Sequence, residues 1–168
     1  LRERFETQLS RHRLRREIVA AYVTNSLVNR VGATFVQDLQ ERSGATPDDI
    51  ARAYVIARDA FDLSPVWRDI EGLDLKVEAE VQMDMAHELE MLVERMTVWF
   101  LNNARRPLDI ESTIGRYAPG VHSLVDNLPE IVAEEDRRDI EAQTKRLVSA
   151  EVPKALARKV ASLDVLAA

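Results

Sequence analysis

The chain has 168 residues, no cysteine, a hydrophobic fraction of 46% and a charged fraction of 31%. These values are typical of a globular protein with a core, and they exclude disulfides, thiolate metal sites and cysteine nucleophiles. The net charge of −6 argues against nucleic acid as a partner, because an acidic surface repels phosphate backbones. The longest apolar run, residues 18–23, is much shorter than a membrane span.

The first predicted helical region extends from Arg2 to Arg42, and residues 13–31 are its strongest part. Apolar side chains recur there at helical spacing, namely Leu14, Ile18, Tyr22, Leu27 and Val28. Gly32 is expected to weaken or kink this helix, since glycine has a low helix propensity. Gly44 fits a C-terminal cap.

A clear helix start follows at Thr46. Threonine is a favoured N-cap, and Pro47 suits the first helical position. The two aspartates that follow complement the positive end of the helix dipole. We therefore predict a second helix through Phe61, and a short third helix from Ser64 to about Gly72.

The longest predicted helix covers about residues 73–103. Its apolar stripe has spacings of three or four throughout and consists of Val77, Val81, Met85, Leu89, Leu92, Met96 and Phe100. At 1.5 Å per residue such a helix is roughly 45 Å long. A helix of this length is typical of the spine of a bundle.

The remaining third of the chain predicts shorter helices separated by prolines. We expect Asp109 to cap a helix through Tyr117 and the Pro119–Gly120 pair to break the chain. The further helices are then expected over residues 121–127, from Pro129 to Ala150, and from Pro153 to Leu166. The predicted fold is all-α, a bundle of roughly seven to eight helices with one long central helix, and residues 1–168 are predicted to form one domain.

A nucleotide site is not predicted, because phosphate binding at a helix start needs a glycine-rich turn. The five glycines stand alone and form neither G-x-G-x-x-G nor a Walker pattern; they are Gly32, Gly44, Gly72, Gly115 and Gly120. Likewise, no serine, histidine or carboxylate arrangement indicates catalysis. We therefore predict no catalytic, cofactor-binding or metal-binding residue in this chain.

One alternative is a carboxylate metal site on the long helix. Asp84 and His87 have the i, i+3 spacing seen in metal-binding bundles, and Glu80 and Glu88 lie one turn away. Such a site normally needs a second carboxylate–histidine pair on another helix, and this chain offers none. These four residues are therefore better read as the solvated face of an acidic helix.

A second alternative is a helix-turn-helix DNA-binding unit over residues 35–61. The pattern of helix, Ser-Gly-Ala-Thr turn and helix has the right form. However, the start of the second helix carries Asp48 and Asp49, where recognition helices usually carry basic or amide side chains. A better basic patch consists of Arg2, Arg4, Arg11, Arg13, Arg15 and Arg16. We expect it to contact a neighbouring domain or an acidic segment, for example residues 71–94.

Several polar or aromatic residues are expected to serve packing rather than chemistry. Asn25, Asn29 and Arg30 lie on or beside the apolar stripe of the first helix and would need partners if buried. Trp67 and Trp99 are more typical of core or interface anchors than of ligand platforms.

An ordered set of short phrases resembles the C-terminal region of the large bacterial NAD-specific glutamate dehydrogenases. The resemblance covers about residues 11–166, and its phrases are Leu14–Ile18, Val28–Gly32 with Thr34 and Phe35, Ala53–Val55 with Ala57 and Arg58, Trp67, Ile70–Asp74, Pro107–Ile110, Val152–Pro153, Ala155–Ala157 and Leu163–Asp164. No phrase is diagnostic alone, but their order and spacing are fairly specific.

The resemblance implies a parent enzyme that interconverts L-glutamate and 2-oxoglutarate plus ammonium with NAD as hydride acceptor. It implies that the catalytic residues and the dinucleotide loop lie upstream of Leu1, so this chain alone is expected to be inactive and to bind no cofactor. The start at leucine rather than methionine favours such a fragment. The expected partners are the enzyme's catalytic domain and neighbouring subunits of a homo-oligomer, in the cytoplasm.

Overall fold

Helices occupy most of residues 11–167, which the computed structural model describes, and no strand occurs among these residues. In chain order they are α1 Arg15–Val31, α2 Phe35–Ser43, α3 Pro47–Ala60, α4 Leu63–Glu71, α5 Ala79–Asn103, α6 Ile110–Ile131, α7 Glu134–Ser149, α8 Lys154–Ala161 and α9 Leu163–Ala167. The predicted all-α, multi-helix fold is confirmed. None of the helices within these residues is long and apolar enough to cross a membrane.

The centre of the bundle is α3, which packs chiefly against α5 and α6 and also contacts α1, α2 and α4. From Asp49 onwards none of its residues is exposed. Three of its alanines, Ala53, Ala57 and Ala60, have no accessible surface at all. Alanine at these positions lets neighbouring helices approach closely, so α3 is surrounded rather than amphipathic.

The second central element is α5, which contacts α1, α3, α4, α8 and α9. Its predicted stripe is largely correct: Met85, Leu89, Leu92 and Phe100 are buried. Val81 and Met96 are partly buried against the same core. One continuous hydrophobic cluster extends from Leu27 to Leu163 and includes buried residues of every described helix except α6.

The predicted caps are confirmed. Thr46 accepts a hydrogen bond from the Asp49 amide at 3.2 Å, and Asp109 accepts one from the Ser112 amide at 2.7 Å. Gly44 has the left-handed φ of 65° and its amide donates to the Gln40 carbonyl, which ends α2. These are local interactions, and each one fixes the boundary that the sequence indicates.

Two boundaries differ from the prediction in the first half of the chain. Gly32 separates α1 from α2 instead of kinking one helix, because its φ of 84° and ψ of 161° are incompatible with a helix. The predicted start of this region at Arg2 lies outside the described residues. The long helix begins at Ala79 rather than near Leu73. Turns fill the interval, and Leu75 adopts a left-handed φ of 60° there.

The predicted break at the Pro119–Gly120 pair is wrong, because α6 continues through both residues to Ile131. Proline removes one backbone hydrogen bond and its ring crowds the carbonyl four residues earlier. That residue is Gly115, which is exposed, as are Pro119 and Gly120. Water can therefore solvate the freed carbonyl. Pro129 lies in the last turn of the same helix, and α7 begins only at Glu134.

The predicted last helix is divided in two. Its first part, α8, begins directly after Pro153, as the sequence indicates, and ends at Ala161. Ser162 interrupts the chain before the five residues of α9, and its amide is bonded back to the last turn of α8. Several helix boundaries within residues 11–167 thus differ from the prediction, while the all-helical type of the elements is as predicted.

Candidate docking surface

An apolar face of α1 is exposed to solvent. Leu14, at the N-cap, and Ile18 and Tyr22, one and two turns later, are 43%, 42% and 66% exposed, and the adjacent Val19 is 48% exposed. Monomeric proteins rarely leave a contiguous set of large apolar side chains uncovered. Since the spacing of four residues aligns these side chains along one stripe, they form a surface suited to docking. We call Leu14, Ile18, Val19 and Tyr22 the α1 face.

A groove of about 670 Å³ lies beside the α1 face, between α1, α3 and the start of α6. Its apolar walls are formed by Val19, Val23, Val55 and Ile110. The rim is basic and includes Arg16 and Arg52, the latter paired with Asp48 at 2.7 Å. An apolar floor with a basic rim suits a partner whose apolar side chains are flanked by carboxylates.

Polar contacts hold the C-terminal half of α1 against the bundle. The Ser26 hydroxyl lies 2.9 Å from the Tyr54 hydroxyl, and burial raises the pKa of Tyr54 although this hydrogen bond opposes the shift. The Arg30 guanidinium pairs with Glu71 at 2.6 Å and lies 4.9 Å from the centre of the Trp67 ring. Because Leu27 and Val31 are buried as well, α1 is anchored at its C-terminal end.

Among the polar residues expected beside the α1 stripe, Arg30 is partly buried and has partners for its charge, namely Glu71 and the Trp67 ring. Asn25 and Asn29 are exposed. Arg30 also supplies an ion pair between α1 and the acidic segment 71–94, a contact anticipated for the N-terminal arginines. Arg2 and Arg4 lie outside the described residues, whereas Arg11, Arg13, Arg15 and Arg16 are exposed.

The two tryptophans have different surroundings. Trp67 is 3% exposed and belongs to the core. Trp99 is 40% exposed and makes edge-to-face contacts with Phe100 and Tyr117 at centroid distances of 5.1 and 5.5 Å. Aromatic pairs favour this edge-to-face geometry. Trp99 therefore covers the edge of an aromatic cluster between α5 and α6.

The four residues weighed as metal ligands on α5 do not form a ligand set. Asp84 contacts the Arg146 guanidinium at 3.5 Å, and His87 contacts Glu90 at 3.4 Å. Glu80 is exposed and Glu88 is partly buried. Within residues 11–167, no group of three or more histidine, aspartate or glutamate side chains is arranged to hold a metal ion.

The segment that resembles a helix-turn-helix unit differs from a DNA-binding unit in how its second helix is packed. Its two helices are α2 and α3, as the sequence indicates. A recognition helix must present one face to the major groove. Most of α3 after its first turn is buried in the core, and that first turn carries Asp48 and Asp49, so the helix is placed for packing rather than for base contacts.

On α5, the surroundings of Glu94 raise the pKa of its carboxyl group. Burial is the largest cause and the charge of Glu90 adds to it, while Arg42 and His87 act in the opposite direction. The folded state thus holds this proton more tightly than the unfolded chain does. The stability contributed by the protonated carboxyl is fully present below the ordinary glutamate pKa and is lost as pH rises through the raised pKa.

We expect Glu94→Gln to raise the melting temperature at pH 7 by about 1–2 °C, because glutamine removes a partly buried negative charge. The gain should shrink towards pH 4, where Glu94 itself is protonated. Thermal unfolding followed by circular dichroism at pH 4, 5, 6 and 7 measures both effects. Glu80→Gln, at an exposed site on the same helix, is the control; an equal gain from that variant, or a gain independent of pH, would contradict the assignment.

Comparison with known proteins identifies relatives along the whole chain. The family model described as "Glutamate dehydrogenase, C-terminal" matches residues 1–168. Proteins named NAD-specific glutamate dehydrogenase from Halomonas elongata and Pseudomonas aeruginosa are 42% and 41% identical to this chain over 166 residues. The protein of the same name from Mycobacterium tuberculosis is 32% identical over 162 residues. No solved structure matches the chain.

The matches cover nearly all of this chain but little of each relative. The alignments span 99%, 99% and 96% of the chain, and about 10% of the length of each curated relative. The resemblance that the ordered phrases indicate is thus confirmed along the length of the chain. The chain belongs to the glutamate dehydrogenase C-terminal family.

Proposed function

We propose that this chain is a non-catalytic helical domain of an NAD-dependent glutamate dehydrogenase, and that it docks on the rest of that enzyme through the α1 face. The parent enzyme would interconvert L-glutamate and 2-oxoglutarate plus ammonium, with NAD as hydride acceptor. The relatives' names support the chemistry. The exposed stripe of α1 supports the docking role.

The occupant of the α1 face is, in this proposal, a part of the same polypeptide outside this chain. The relatives are about ten times as long as the segment they share with it, so most of the parent's surface lies elsewhere. Arg11, Arg13 and Arg16 are exposed beside the stripe. The complementary surface should therefore carry apolar side chains flanked by aspartate or glutamate.

Location in the cytoplasm and assembly as a homo-oligomer belong to the same proposal. The lack of cysteine suits a reducing compartment. Oligomerisation would bring the domain close to neighbouring subunits as well as to its own catalytic core.

The docking role can be tested with the variant Ile18→Asp of this chain. A carboxylate in an apolar interface is desolvated without a partner, so we expect the variant domain to detach. Added in trans to an enzyme lacking this region, the isolated variant should bind at least tenfold more weakly than the unaltered chain. Leu75→Asp is the matched control, because Leu75 is 97% exposed in the turn before α5 and is not part of the α1 face. Equal binding by both variants would refute the role of the α1 face.

The non-catalytic role has a separate test. Titration of the isolated chain with NAD, followed by calorimetry, should give no saturable heat. Micromolar affinity for NAD would overturn the proposal even if the docking experiment succeeded.

A further inference from the structure

A second cavity, separate from the groove beside α1, lies where the end of α6 meets α7 and α8. Its volume is about 470 Å³, large enough for a small organic molecule. Its apolar lining consists of Leu128, Val132, Ile140 and Val148. None of these residues takes part in the α1 face or in the groove beside it.

Positive charge is concentrated in this cavity. The lining includes four cations, Arg137 and Lys145 from α7 and Lys154 and Arg158 from α8, against one carboxylate, Glu141. In the part of the chain that the structure describes, no carboxylate forms an ion pair with Lys145, Lys154 or Arg158. The excess of cations is notable in a chain whose net charge is −6.

The other side of α7 has the opposite character. A depression of about 480 Å³ there is lined by Asp136 and Asp139 from α7, together with Glu88 and Asp164 from neighbouring helices. Arg146 also lines this depression, and its guanidinium contacts Asp84 at 3.5 Å. One side of α7 is therefore mainly basic and the other mainly acidic. The cations of the cavity are thus a local concentration of positive charge.

Two buried hydrogen-bonding atoms in the cavity wall have no partner within residues 11–167. They are Nε of Arg137 and the hydroxyl oxygen of Thr144. The two residues are seven positions apart, which places them two turns apart on one side of α7. Glu134 forms an ion pair with Nη1 at the far end of the Arg137 guanidinium, at 3.6 Å, and does not contact Nε. Because these two atoms have almost no accessible surface, a molecule in the cavity meets instead the exposed side chains of Lys145, Lys154 and Arg158.

We propose that this cavity binds a small organic anion whose carboxylate or phosphate group pairs with Lys145, Lys154 and Arg158. The rest of the ligand is apolar and lies against the aliphatic side chains of the lining. This binding site is independent of the docking role of the α1 face.

Calorimetric titration of the 168-residue chain with chosen anions tests the proposal. Phenyl phosphate and benzoate carry an oxyanion on an apolar ring, inorganic phosphate carries the charge alone, and benzyl alcohol carries the ring alone. We expect saturable binding of at least one aromatic anion, at least tenfold weaker binding of inorganic phosphate, and none of benzyl alcohol. The ratio between phenyl phosphate and benzoate identifies the preferred acidic group. No saturable binding of either aromatic anion would overturn the proposal.

Paired variants locate the site. Arg158→Gln should weaken binding about tenfold, whereas Lys159→Gln removes the same charge from the adjacent position outside the cavity and should change it little. Arg137→Gln and Arg138→Gln form a second pair, because both arginines contact Glu134 but only Arg137 lines the cavity. Equal losses within both pairs would show that the anion binds to general surface charge and would refute the site.

Discussion

Leu89→Ala is expected to lower the free energy of unfolding by about 2–5 kcal/mol, the largest effect we predict for a single substitution. Leu89 has no accessible surface and lies near the middle of α5, which packs against α1, α3, α4, α8 and α9. Truncation removes the transfer free energy of the buried methyl groups. It also leaves a cavity that α3, α8 and α9 cannot fill together, because each is held by other contacts.

Urea unfolding followed by circular dichroism measures this loss. The transition midpoint should decrease while its slope is unchanged, since the surface exposed on unfolding is nearly the same. Met83→Ala is the matched control on the same helix, because Met83 is 66% exposed. We expect that variant to lie within about 0.5 kcal/mol of the unaltered chain. Similar losses for both would mean that α5 is not buried as described.

Ala57→Leu is expected to destabilise the fold by about 1–3 kcal/mol through the opposite mechanism, overpacking. Ala57 has no accessible surface, and the three additional carbons must displace α5 or α6 from α3. Leucine favours helices nearly as well as alanine, so any loss reports packing rather than helix propensity.

Thermal unfolding of Ala57→Leu should show a melting temperature lower by about 3–10 °C. Ala155→Leu makes the same chemical change at an exposed position in α8, and its melting temperature should hardly move. If Ala57→Leu is neutral, α3 has free space beside it and cannot be the closely packed centre of the bundle.

Signals that act within one turn of helix were readable from the sequence. The side-chain oxygens of Thr46 and Asp109 satisfy amides three residues away, and Gly44 adopts the left-handed conformation that ends α2. The apolar stripe of α5 also follows directly from the spacing of its residues. Such features need no knowledge of the rest of the chain.

Features that depend on tertiary context were not readable. Leu75 adopts a positive φ that leucine rarely takes. A leucine at this position therefore does not indicate a turn, and the start of the long helix at Ala79 could not be predicted. The Pro119–Gly120 pair is a strong local signal for a break, yet the surrounding helix tolerates both residues. Local propensity is only a weak prior against packing and solvation.

The two surfaces proposed for binding show the same limit. The stripe of α1 was visible in the sequence, but spacing alone cannot tell whether Ile18 meets the chain's own core or a partner. The basic cavity could not be anticipated, because Arg137 and Arg158 are 21 positions apart on different helices. Their proximity arises only from the packing of α7 against α8.

The central position of α3 among five other helices has a consequence for amide hydrogen exchange. A helix that contacts five neighbours can release its amide protons only when most of the bundle opens. The amides of Tyr54, Val55 and Ile56 should therefore exchange at the rate set by global unfolding. Those of α1 near Ile18 should exchange through local opening, until a bound partner slows them to the pace of the core.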